Sequence, residues 1–218
     1  MPERTRTLFD RALFAAESAT AATWEQDGGD AMPERTRTLF DRALFAAESA
    51  TAATGRPIFA DYASAFVGWN AEQRRDFRAG QKAFGEAVQA SRGGEHEASL
   101  TAARRCRELA EPLGDWWGTA MGLGAEGRAL LALERAEEAL VHLSRARLLN
   151  AQLGLAGSEL GNAIAMADAC EALGRWRRGI AALDGALRLC GEDRAELREQ
   201  LSARRDEFEQ KLAGERTR

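Results

Sequence analysis

Apolar residues recur along most of the chain at the three-and-four spacing of an amphipathic helix, not in alternation. Over residues 33–53, Phe40, Ala43, Leu44, Ala47 and Ala50 fall on one face. Pro33 and Glu34 suit the start of that helix, and Gly55 with Pro57 ends it. A short second helix follows, with Ile58, Phe59, Tyr62, Ala63 and Phe66 on its stripe. Asn70 and Gln73 form a variant capping box for a third helix, whose apolar face is Phe77, Phe84 and Val88. That helix breaks at Arg92-Gly93-Gly94.

From there the pattern returns every 40 residues. Gly94, Glu134 and Gly174 hold the same place, the turn inside successive helical hairpins. Leu100, Leu140 and Ile180 are equivalent, as are Ala103, Leu143 and Leu183, and Cys106, Ala146 and Ala186. The spacing predicts hairpins at about 33–69, 71–113, 116–153 and 157–190. A last helix, 193–213, carries Leu197, Leu201, Phe208 and Leu212 on an otherwise charged cylinder, as a terminal cap requires. The expected fold class is all-α.

A second, different repeat lies at the N-terminus. Residues 1–23 recur without a change as residues 32–54, separated by the linker Trp24 to Ala31. Solenoid repeats share pattern positions, not whole sequences, so this identity points to a recent duplication or a fused peptide. Met32 resembles an original start. The expected organisation is an appendage, 1–31, ahead of a helical-repeat domain, 32–218. The appendage repeats the apolar face of the second segment: Phe9, Ala12, Leu13 and Ala16 match Phe40, Ala43, Leu44 and Ala47. Only one copy can pack beside the Ile58–Phe66 helix. Residues 2–23 are therefore expected to seek another surface, either their own twin or another molecule; the second choice is preferred, and with it a homodimer or higher oligomer.

The hairpins resemble the tetratricopeptide repeat family, in a variant with a longer period than the usual one of about 34 residues. Small residues stand where helices cross, with large ones between. The third hairpin supplies Gly127, Leu130, Ala139, Leu143 and Ala146. The fourth supplies Ala167, Cys170, Gly174, Trp176, Gly179, Leu183 and Ala186. The second hairpin is weaker, with Ala87, Ala90, Gly94, Ser99, Ala103 and Cys106. The likeness covers about residues 71–190. It implies a right-handed α–α superhelix whose first helices line a concave groove for a peptide or helix. Carried across by register, the inward positions are Gln81, Phe84 and Val88, then Met121, Gly124, Arg128 and Leu131, then Gly161, Ile164, Asp168 and Glu171. Phe84, Met121 and Ile164 offer apolar seats, Arg128 can fork onto a carboxylate, and Asp168 with Glu171 make one end acidic.

Composition narrows the function. Lys and Arg number 30 against 34 Asp and Glu, a formal charge of −4, which argues against a generally basic nucleic-acid binder. No run approaches the eighteen apolar residues of a membrane span, and Asp10, Arg11 and Glu17 interrupt any leader-like stretch. Three cysteines are too few and odd in number for a disulfide framework and fit a reducing cytoplasm. Alanine is abundant, and arginine far exceeds lysine, a bias that fits a GC-rich bacterial genome.

Chemistry is sparse. Gly122, Gly124 and Gly127 spell a G-x-G-x-x-G run, but no strand precedes it, so the spacing reads as helix packing and no cofactor is expected. His96 and His142 lie 46 apart without ligand partners, so no metal is expected. Cys106 and Cys170 occupy packing positions. One of Trp116 and Trp117 is expected to pack and the other to be exposed. The alternating charges of Arg194–Glu209 read as a solvated helix face. The expected function is a non-enzymatic cytoplasmic scaffold that binds a protein or peptide, with a small-ligand sensor as the alternative and an enzyme the least expected.

Overall fold

A computed structural model describes residues 34–55 and 58–216. Among them every regular element is helical and no strand occurs. The chain divides into two compact units, Met1–Glu72 and Gln73–Arg218. The first copy of the N-terminal repeat and its linker, residues 1–31, lie outside the described residues.

In the first unit, α1 (Glu34–Thr54) packs on α2 (Ile58–Gly68). α1 turns Ala43, Ala47 and Ala50 inward, and Ala63 of α2 is equally buried. Side chains this small let the two backbones approach closely. The opposite face of α1 carries Phe45, which is 73% exposed. Asp41 and Glu48, one turn to either side of it, are exposed as well.

The second unit holds nearly all of α3 (Ala71–Arg92), then α4 (His96–Ala110), α5 (Trp116–Ala132), α6 (Ala136–Leu153), α7 (Ala156–Ala172), α8 (Trp176–Leu189) and α9 (Ala195–Arg216). Short 3₁₀ turns at Glu111–Leu113 and Glu192–Arg194 precede α5 and α9. The predicted hairpins are present, with boundaries shifted by at most a few residues. Their turns share one conformation: φ is 74° at Gly94, 62° at Glu134 and 64° at Gly174. Each turn is closed by the same bond. Glu95 N–H donates to Ala90 O at 2.9 Å, Arg135 N–H to Leu130 O at 2.8 Å, and Arg175 N–H to Cys170 O at 2.8 Å. The left-handed residue satisfies the last carbonyls of the first helix and reverses the chain.

Each helix from α4 to α8 packs on its successor, and α5 also touches α7, the first helix of the next hairpin. Close crossings rest on small residues. A Cβ on Gly122 would stand 2.9 Å from the Arg107 nitrogen, and one on Gly127 would stand 2.5 Å from Leu143 Cγ. The G-x-G-x-x-G run thus lies inside α5 as packing surface. Ala139, Ala146 and Ala186 are fully buried at equivalent or neighbouring crossings, around a core of Leu130, Leu140, Leu143, Leu183 and Phe208. No described helix is long and apolar enough to cross a membrane.

The 40-residue register continues into α9. Leu201, Arg204, Phe208 and Lys211 follow Gly161, Ile164, Asp168 and Glu171. Leu201 and Phe208 are buried, the latter against Gly179 of α8 and edge-on to Trp176 at 5.3 Å between centroids. On α5 and α7 the side that meets the following helix is Leu123, Gly127 and Leu130, or Ala163, Ala167 and Cys170, all buried. On α9 those positions are Ala203, Glu207 and Gln210, all exposed. α9 is therefore a first helix with a polar far side, the cap that the pattern predicts.

Candidate functional site

α5 is fixed at its N-terminus by a side-chain cap. Buried Asp115 caps it by accepting the Gly118 N–H at 2.7 Å, satisfying one of the end donors. Trp116 is exposed and Trp117 half-buried, the expected division. Midway along, Arg128 reaches across to α7, where its Nη1 donates to Asn162 Oδ1 at 3.0 Å. Asn162 is buried. Gly124 leaves room for this pair, since a Cβ there would stand 3.0 Å from Asn162 Oδ1 and 3.4 Å from Arg128 Nη1. Arg128 is exposed as a residue, and protein atoms around its guanidinium lower its pKa from the ordinary arginine value. No carboxylate of the described residues pairs with it; its polar partner is an amide.

The other predicted positions divide. Gln81 is exposed. Phe84 is half-buried and leans on Ala87, Ala103 and Ala125, joining α3, α4 and α5, while Val88 and Met121 are half-buried. Leu131 and Ile164 lie against the main core with an edge left open. Gly161 is exposed. Arg128 and Ile164 therefore belong to the α5–α7 seam, whereas Phe84 packs where α3, α4 and α5 meet.

Asp168 and Glu171 do not form an open acidic end. Arg204 of α9 donates to Asp168 Oδ1 at 2.5 Å and to Glu171 Oε2 at 2.6 Å, and Lys211 Nζ reaches Glu171 Oε1 at 3.3 Å. Burial alone would raise the Glu171 pKa, but the two bases outweigh it and hold the carboxyl below its usual range. The charge run of α9 is thus not wholly a solvated face. Glu199, Asp206 and Glu207 are exposed, but Arg204 closes the α7–α9 seam and Arg205 pairs with Asp184, Asp206 and Glu209.

One polar cluster escaped sequence reasoning. Glu126, next to the close-packed Gly127, is 1% exposed. Its Oε1 accepts from Arg107 Nε at 2.5 Å, and its Oε2 lies 3.6 Å from His142 Nδ1. Arg107 also donates to Glu111 at 3.0 Å, and Arg145 reaches the same carboxylate at 3.3 Å. Burial lowers the Arg107 pKa, but Glu126 and Glu111 more than reverse this. The His142 pKa is lowered, first by burial and then by Arg107, Arg145 and Arg104, against the pull of Glu126. The available signal was the charge itself: Glu126 and Arg128 are the only charged residues of α5.

Cys106 is buried with its Sγ 3.6 Å from Gly118 O, and burial, Asp115 and Glu126 push its pKa up to about 12. Such a thiol packs and does not react. Among the described residues no three His, Cys, Asp or Glu side chains are grouped to hold a metal ion. A shallow depression of about 590 Å³ opens between α3 and α4 beside Glu86, Glu95, Glu97 and Arg105, and none of the predicted positions lines it.

The sequence matches no family model and no curated protein.

Proposed function

We propose that the chain is a non-enzymatic interaction module, a right-handed superhelix of tetratricopeptide type that holds a helical or extended protein segment in a groove lined by its first helices. Arg128 carries this reading. In the α7–α9 seam, Asp168 and Glu171 are met by Arg204 and Lys211. In the α5–α7 seam the polar partner of Arg128 among the described residues is the Asn162 amide. Arg128 is exposed, with guanidinium donors left over beyond the one spent on the amide, and an incoming carboxylate on the partner would take them through a charge-assisted bond. Half-buried Phe84 and Val88 on α3 and Met121 on α5 would supply the apolar contacts of the groove. Buried cysteines suit a reducing, cytoplasmic setting.

The test is affinity capture with the wild-type chain, Arg128→Glu and the exposed control Arg104→Glu. A stoichiometric protein retained by wild type and control but lost with Arg128→Glu supports the module. Thermal stabilisation by small carboxylates without any protein partner supports instead a ligand-sensing role for the same seam. Small-angle scattering checks the superhelical form, because a straight bundle of these helices has a shorter maximum dimension.

A further inference from the structure

The later hairpins show what covers one side of a hairpin in this chain. α4 lies across α5–α6: Arg107 donates to Glu126 of α5, Leu100 joins the core that holds Ala129 and Leu130, and Glu111, just past α4, is met by Arg145 of α6. Glu97, near the start of α4, faces Arg135 in the turn of that hairpin. α6 lies across α7–α8 in the same register, with Glu137 accepting from Arg175 at 2.9 Å and Arg147 standing over Gly185. The same side of the α3–α4 hairpin holds the depression of about 590 Å³. Among its lining residues, Glu86, Ala90, Glu95, Ala102 and Arg105 stand 40 before Glu126, Leu130, Arg135, His142 and Arg145. The sequence has Val67 at 40 before Arg107, so the register offers Glu86 no arginine. Its ion pair is with Lys82, one turn back at 3.7 Å on the exposed surface.

We infer that this depression is a docking site for a helix of another protein that presents two bases, one to Glu95 and, ten residues on, an arginine to Glu86. The site does not rest on the Arg128 groove, none of whose residues lines the depression. Charge and register together define the partner. In the later hairpins the turn position is Arg135 or Arg175, and an acid of the covering helix meets it. At Glu95 that charge is reversed, so the residue arriving in the place of Glu97 is a base. Glu86 keeps the carboxylate of Glu126, so the residue in the place of Arg107 remains an arginine. Half-buried Ala90 and Ala102 floor the space between, where an apolar side chain takes the place of Leu100. Arg105 repeats Arg145 and meets an acid in the place of Glu111. The partner helix therefore reads base, apolar residue at +3, arginine at +10 and acid at +14, and its two bases lie about 15 Å apart along the axis.

The test uses the full-length chain and a labelled synthetic peptide of residues 96–113 carrying Glu97→Arg and Cys106→Ala, which has this pattern. Fluorescence anisotropy should show saturable binding, about tenfold tighter than for the same peptide with Glu97 kept. In the protein, Glu86→Lys and Glu95→Gln should each weaken binding about tenfold. Glu199→Lys makes the same charge change on α9 and should leave binding as it is. All three positions are exposed, so thermal melts should match that of the wild type. Changing Arg107 of the peptide to Glu should restore binding to the Glu86→Lys protein. The inference is overturned by a peptide that shows no saturable binding, by binding that Glu86→Lys leaves intact, or by binding that Glu199→Lys weakens equally. It is also overturned if the mass of the free chain rises above 23.7 kDa with concentration and Glu86→Lys abolishes the rise, since a second copy then fills the depression.

Discussion

Glu126 is a carboxylate almost removed from water, and its neighbours decide what it does to stability. Removing one partner of a buried pair leaves the other uncompensated, at a cost of about 3–5 kcal/mol, whereas replacing both with apolar residues is often nearly neutral. Glu126→Ala should therefore lower the denaturant midpoint strongly. The repeat itself offers the replacement: the residues at 40-residue spacing are Met166 for Glu126 and, two repeats on, Leu187 for Arg107. Glu126→Met/Arg107→Leu should recover most of the loss. Two other residues contribute to the pH response. His142 has a lowered pKa when folded, so below about pH 6.5 the unfolded chain takes up a proton that the folded chain resists, and stability falls with acidification. Glu171 also has a lowered pKa, so its contribution is present above the unfolded value near 4.3 and disappears as pH drops through the folded one. Melting curves should thus show two successive losses on acidification, with His142→Gln removing the upper and Glu171→Gln the lower.

At the scale of the element, stability depends on how closely helices cross. Ala139 and Ala186 have no exposed surface, and substituting Trp at either should cost roughly 1–3 kcal/mol or more by overpacking. Two such variants as stable as the parent would refute the packing register. Arg128→Ala, by contrast, should leave the melt nearly unchanged, because its partner Asn162 is an amide, not a buried charge. This level was the most legible in the sequence. Residues 94, 134 and 174 mark turns because a left-handed residue must reverse each hairpin, and even Glu134 takes up that conformation. What stayed hidden are contacts between helices. Arg107 and Glu126 are 19 residues apart and His142 a further 16, so no local spacing links them. The closure of Asp168 and Glu171 by Arg204 and Lys211 was masked for a related reason. In α9 the 40-residue pattern continues through charged residues, which read as solvent-facing when no neighbour is known.

For the second unit as a whole, each hairpin leans on the next, so stability should resemble a sum of units and nearest-neighbour interfaces. Phe208 closes one end of that stack, with no exposed surface. Phe208→Ala should cost about 3–5 kcal/mol. The loss should be local at first: hydrogen exchange should quicken in α8 and α9 while α4 to α6 keep their protection. Uniform loss of protection would mean that the stack unfolds as one cooperative block.

The polar far side of α9 also determines how such a protein can evolve in length. A copied 40-residue unit inserted between existing hairpins would meet similar small residues, turns and leucines at both joints, because the apolar packing positions recur at that interval. The same unit added beyond α9 would face Ala203, Glu207 and Gln210 where its predecessors met Leu123, Gly127 and Leu130. Lineages of this protein should therefore gain or lose repeats from the interior of the array, while the terminal helix is inherited intact.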